Sequence, residues 1–121
     1  MPIESQTYRG SCHCGAVRFT FASEEITTGL RCNCSICIRK GAIMSARYIP
    51  RGDFSELVGL DVLSCYRFGD RVVNHYFCRT CGIYPFHDST VKPGAYRVNL
   101  GCVDGLDLLA LDVDVIDGRS F

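Results

Sequence analysis

The chain has 121 residues, 47% of them hydrophobic and 21% charged, and its 13 Lys and Arg balance 13 Asp and Glu. That length suits one domain able to bury about two-thirds of its unfolded surface, and the charge fraction excludes wholesale disorder. The neutral balance argues against a nucleic acid or membrane surface held by bulk charge, and no apolar run approaches the ~20 residues that span a bilayer.

In chain order, the opening MPIESQTYRG has no basic stretch leading into an apolar one. It does not read as a secretory signal, so the expectation is a cytoplasmic chain with reduced thiols. Residues 16–21 (AVRFTF) alternate with period two, which puts Val17, Phe19 and Phe21 on one face and Ala16, Arg18 and Thr20 on the other. Similar strand patterns follow at 26–32, 42–49, 62–68, 71–78, 82–87, 95–100 and 106–113. Short Gly, Asp and Pro signals separate them, at Arg51-Gly52-Asp53, Gly69-Asp70, Pro93-Gly94 and Asp104-Gly105. That rhythm predicts antiparallel β structure. One segment differs: residues 35–41 (SICIRKG) read as a short helical turn capped by Gly41. The acidic tail beyond residue 104 predicts an edge strand and a solvated end. The chain is thus expected to be a single mainly-β domain over 1–121, with its core at about 8–113 and one short helical turn.

Cysteine is the compositional outlier, with nine residues at 12, 14, 32, 34, 37, 65, 78, 81 and 102. In a reducing compartment these are better explained as metal ligands or reactive thiols than as disulfides. A C-x-x-C turn places two sulfurs on one side of an ion and needs a second pair to complete a tetrahedron. Cys78 and Cys81, followed by Gly82, form such a pair, and Cys12 and Cys14, flanked by Gly10 and Gly15, complement it. These four predict a closed structural zinc site that staples the fold. Cys32, Cys34 and Cys37 form a second trio. Three protein ligands with an open fourth position mark a catalytic zinc, although Cys102, Cys65 or a His could close the shell and make it structural. Cys65 reads as a core residue; Cys102 reads equally as core, ligand or reactive thiol.

Three thiolates are electron-rich donors that blunt the Lewis acidity of zinc, so an exogenous thiol suits the trio better than water. A coordinated thiol is deprotonated and nucleophilic, and its attack on a small carbonyl gives a thiohemiacetal. This favours making or breaking a C–S bond over hydrolysis. Arg39 and Lys40 directly follow the trio and are candidates to hold a carboxylate of a thiol cosubstrate such as glutathione, or are simply a solvated cationic turn. His75 is either a general acid or base or a hydrogen-bonded core histidine. His13 is expected to point outward and His87 to face solvent. Asn33 and Ser35 are expected to serve the turn.

The segments GSCHCGAVRF (10–19), CNCSICIRKG (32–41) and YFCRTCGIYPF (76–86) resemble the glutathione-dependent formaldehyde-activating enzyme family, which also includes centromere protein V. The resemblance implies a mainly-β zinc fold of the β-tent type, shared with type B methionine sulfoxide reductases. It implies that Cys12, Cys14, Cys78 and Cys81 hold a structural zinc and that Cys32, Cys34 and Cys37 carry a catalytic one. It also implies a carbon–sulfur lyase that forms S-hydroxymethylglutathione from glutathione and formaldehyde. Two other readings compete: a non-catalytic zinc module for a protein partner, and a sulfoxide-reducing enzyme that would need Cys65 or Cys102 as its reactive thiol.

Overall fold

The computed structural model of the protein describes residues 5–69 and 72–118. The alternating segment at 16–21 leads into strand β2 (Arg18–Ser23), and Val17, Phe19 and Phe21 are fully buried on its inner face. β2 is the centre of an antiparallel sheet between β1 (Gln6–Ser11) and β6 (Phe54–Val58). Neither neighbour stands out as a strand in the sequence. Both are edge strands with mostly exposed side chains, so neither needs an apolar repeat.

A second sheet has the order β5 (Ile49–Pro50), β10 (Ala95–Val98), β9 (Phe86–Ser89), β8 (Val73–Cys78), β7 (Leu63–Tyr66), all antiparallel. A third has the order β11 (Asp112–Ile116), β3 (Thr28–Cys32), β4 (Met44–Ser45). The fold is mainly β, as expected, with one short helix, α1 (Ser35–Lys40), closed by Gly41 in the left-handed conformation.

The expectation of purely antiparallel pairing is corrected at one edge. β11 runs parallel to β3, with Asp112 opposite Thr28 and Ile116 opposite Cys32. Parallel partners need a long connection, and most of the chain lies between these two. The predicted strand at 106–113 starts only at Asp112, after a 3-10 turn at Leu108–Ala110. The predicted strand at 82–87 starts only at Phe86. Gly82 adopts a positive φ there, and Pro85 cannot donate to a ladder. The run at 42–49 contributes two short strands, β4 and β5, to different sheets. Arg71 and the chain end at 119–121 lie outside the described residues.

The core joins the first two sheets through aromatic edges. Phe19 meets Phe86 at 6.1 Å and Phe54 at 6.4 Å, and Phe86 meets Tyr96 at 5.0 Å. Such edge-to-face pairs add to their area burial. Cys12 and Cys78 belong to this same buried cluster. Two expectations fail here. Cys65 is exposed on edge strand β7, because only the inner face of a two-faced strand packs on the core. His87 is buried rather than solvent-facing, because β9 is flanked by β8 and β10.

Candidate metal centres and the cavity beside them

The first cluster is built by two turns of the same design. Cys12 follows β1 directly; Val17 donates its backbone N–H to the Cys12 sulfur at 3.4 Å, and Gly15 turns the chain with φ 82°. Cys78 ends β8; Thr80 donates its N–H to the Cys78 sulfur at 3.4 Å, and Gly82 turns the chain with φ 77°. A side chain other than glycine would be strained at either turn. The sulfurs of Cys12, Cys14, Cys78 and Cys81 all lie within 4.8 Å of one another. Cys14 is 3.6 Å from both Cys12 and Cys78, sulfur to sulfur. That is far beyond a disulfide bond. It fits the edge of a tetrahedron about 3.8 Å long that four Zn–S bonds near 2.3 Å would create.

The second cluster comes from one stretch of chain. Cys32 ends β3, Cys34 is the extended N-cap residue of α1, and Cys37 sits one helical turn further on. The Cys34 N–H donates to the Cys32 sulfur at 3.5 Å. All three are half-buried, and their sulfurs also lie within 4.8 Å of one another. Without a cation the trio cannot ionise together. Burial, with Cys34 close by, pushes the Cys37 thiol up to about 12. Cys34, although burial opposes it, is held below its ordinary value by bonds from Cys37. A divalent ion would remove that conflict. Both donor sets therefore fit a thiolate-bound metal ion.

No fourth His, Cys, Asp or Glu joins the trio among the described residues. Cys102 lies instead beside the first cluster, where burial and the charges of Cys12 and Cys81 push its thiol up to about 12. Cys65 is exposed next to Asn74.

The two clusters differ in what they face. Cys32, Cys34 and Cys37 line a cavity of about 600 Å³; the four cysteines of the first cluster do not. The cavity has a polar wall that follows from strand register. Tyr66 pairs with His75 across β7 and β8, His75 with His87 across β8 and β9, and His87 with Arg97 across β9 and β10. Directly opposed residues share a face, and His75, His87 and Arg97 all line the cavity.

Lys40 reaches into this wall from the end of α1. Its ammonium donates to His75 Nδ1 at 2.7 Å and stands 3.6 Å from the centre of the Tyr84 ring. The Tyr84 hydroxyl is hydrogen-bonded in turn to His87 Nδ1. Burial, then the Lys40 charge, lowers His75 to about 4; burial with Lys40, Arg97 and His75 lowers His87 to about 3. Both imidazoles are therefore neutral at pH 7. Burial lowers Lys40 to about 8, against the pull of Cys37 and Cys34.

The two predicted cations thus separate. Lys40 lines the cavity, whereas Arg39 is exposed and folds back to donate to the Ser35 carbonyl at 2.6 Å. Asn33, expected to serve its own turn, instead accepts from the distant Gly118 N–H at 2.7 Å and ties the metal loop to the chain just after β11. Tyr84, His87 and Arg97 are the cavity residues that sequence reading missed. The cue for His87 and Arg97 was cross-strand adjacency, which is invisible before the register is known, and Tyr84 enters from the loop before β9.

A family model described as glutathione-dependent formaldehyde-activating enzyme matches residues 7–115. The chain belongs to that family. It is also similar to a crystal structure of a Rhodobacter sphaeroides protein at 35% identity and a TM-score of 0.75, covering 89% of this chain and 99% of that one. The family's description concerns glutathione and formaldehyde, and the two thiol clusters are compatible with metal binding. No helix among the described residues is long and apolar enough to cross a membrane.

Proposed function

We propose that this protein is a single-domain, zinc-dependent enzyme of the carbon–sulfur lyase type, making or breaking the adduct of a thiol with a small carbonyl compound. The thiol is a small cosubstrate such as glutathione, the adduct is of the S-hydroxymethylglutathione kind, and the setting is a reducing cytoplasm. The observation that carries the reading is the contrast between the clusters: a complete set of four thiols anchored on the core by buried Cys12 and Cys78, and three thiols that open onto a cavity with its own cation and neutral imidazoles.

Zinc held by Cys32, Cys34 and Cys37 would lower the pKa of an incoming thiol and so supply a thiolate nucleophile. The remaining work falls to the chain's own residues. As the sulfur–carbon bond forms, the carbonyl π pair moves to oxygen, which must take a proton. Lys40 Nζ carries a proton beside the trio, and its neutral partner His75 accepts one of its hydrogen bonds and fixes its direction. In adduct cleavage the amine form of Lys40 takes the hydroxyl proton back. The apolar cavity walls keep water away and strengthen these polar contacts.

Metal analysis on the wild type and on Cys34→Ser tests the reading. The expected result is two zinc ions per chain falling to about one with the fold retained. Glutathione at millimolar concentration should shift the backbone resonances of residues 32–41 in the wild type only. A wild type indifferent to added thiol would leave a zinc-stapled module for a protein partner as the better account.

A further inference from the structure

The cavity is larger and more apolar than formaldehyde requires. Leu30, Met44 and Ile116 from the third sheet, with Ile36, Phe68 and Val73, supply most of its walls. Formaldehyde has no apolar body to bury there, and a glutathione-type cosubstrate is polar along most of its length. Burial of apolar surface is the main source of affinity in such a site. The walls therefore call for a partner with several carbons.

The charges call for an anion. Lys40 and Arg97 both line the cavity, and no Asp or Glu among the described residues does. Three thiolates with one divalent ion carry a single net negative charge against these two cations. Arg97 is the less satisfied of the two. One of its terminal nitrogens donates to the Ala46 carbonyl at 3.4 Å, and its guanidinium lies 4.4 Å from the centre of the Tyr48 ring. Its Nε is buried and has no hydrogen-bond partner. A buried donor on a charged group costs stability unless an acceptor reaches it. The neighbouring His87 is hydrogen-bonded to Tyr84 and does not serve.

We infer that the carbonyl partner is an oxo acid: a compound whose apolar body lies along Leu30, Met44, Phe68 and Ile116 and whose carboxylate is held by Arg97, with Lys40 left to serve the carbonyl oxygen. That it is a carbonyl rests on the function proposed above; that it is an apolar anion does not.

Calorimetric titration of the zinc-loaded protein with acetate, butyrate, hexanoate and hexanol separates these elements. Affinity should rise about three- to fourfold for each buried methylene of the carboxylate series, and hexanol should bind far more weakly than hexanoate. Arg97→Gln should weaken hexanoate roughly ten- to hundredfold, while Arg97→Lys, which keeps the charge, should retain part of the binding. Ile116→Ser at the cavity wall should flatten the dependence on chain length, and a cooperative melt with wild-type zinc content identifies a folded Arg97→Gln protein. Affinity independent of chain length, hexanol equal to hexanoate, or hexanoate binding unchanged in a folded Arg97→Gln protein would each overturn the inference. The two readings also fail separately. Hexanoate binding without any response to thiols would sink the lyase and leave the ligand class standing. A thiol response without hexanoate binding would do the reverse.

Discussion

The two thiol clusters use the same ligand chemistry and end in opposite circumstances. Cys12 and Cys78 are at most 2% exposed and sit among Phe19, Phe86 and Val17, so their cluster is rooted in the core while Cys14 reaches the surface. The trio hangs on the end of one strand and a six-residue helix, half-buried beside a cavity. The difference lies in chain distance. Cys14 and Cys78 are 64 residues apart, so an ion between them closes a long loop and holds two sheets together. The trio spans six residues and closes almost nothing, so an ion there would contribute less to the fold, which is why the proposed function assigns it the chemistry.

The most severe way to break the comparison is at the first cluster. Cys81→Ser should leave the chain without cooperative unfolding at room temperature, because a structural zinc contributes about 10 kcal/mol or more in small domains. Circular dichroism melts with zinc analysis would show it, against a Cys34→Ser protein that still melts cooperatively. A Cys81→Ser protein as stable as Cys34→Ser would mean that the two clusters share the structural load.

Acid should strike next, through the polar wall. His87 titrates near 3 and His75 near 4 when folded, below the ordinary value of 6.5. The unfolded chain therefore binds more protons between those values. The stability is fully present above about pH 6.5 and is lost as pH falls toward the folded values. Between pH 7 and 5 each group should cost about 2 kcal/mol, and less than the sum for both because they are neighbours. Lys40, Arg97 and Tyr84 face His87 with no carboxylate among the cavity-lining residues to favour its charged form. Urea midpoints at the two pH values, with zinc retention monitored, should show a shallower slope for His87→Gln than for the wild type. Equal slopes would place the acid sensitivity in the thiolates instead.

Much of this division is visible before folding, and the limit has a physical cause. Metal ligation depends on local spacing, so Cys32-x-Cys34-x-x-Cys37 and Cys78-x-x-Cys81 announce themselves. The buried face of β2 does too, because Val17, Phe19 and Phe21 repeat with the period of a strand. The helical turn at 35–41 is marked by its terminal glycine. The wall of His75, His87 and Arg97 leaves no such trace, because it exists only once β8, β9 and β10 take their register. The parallel edge formed by β11 and the outward face of Cys65 are hidden for the same reason. Alternation tells which residues share a face, not which face the rest of the protein covers.

A further test, on rate rather than stability, concerns two adjacent cations that the sequence treats as equals. Lys40→Met keeps the length of the side chain and removes its proton and charge beside the trio. It should lower the rate of adduct formation about 10²- to 10⁴-fold, the usual contribution of a positioned proton donor, without changing zinc content. Arg39→Ala removes an exposed side chain whose hydrogen bond returns to its own helix. Its effect on stability should stay within about 0.5 kcal/mol, and its rate should match the wild type. Steady-state rates across pH add a second criterion. With Lys40 as the acid, the rate of adduct formation should fall as pH rises through about 8, and that limb should vanish in Lys40→Met while surviving in Arg39→Ala. Matching losses in both variants would mean that the helix end works as a diffuse positive patch, and Lys40 would lose its separate role.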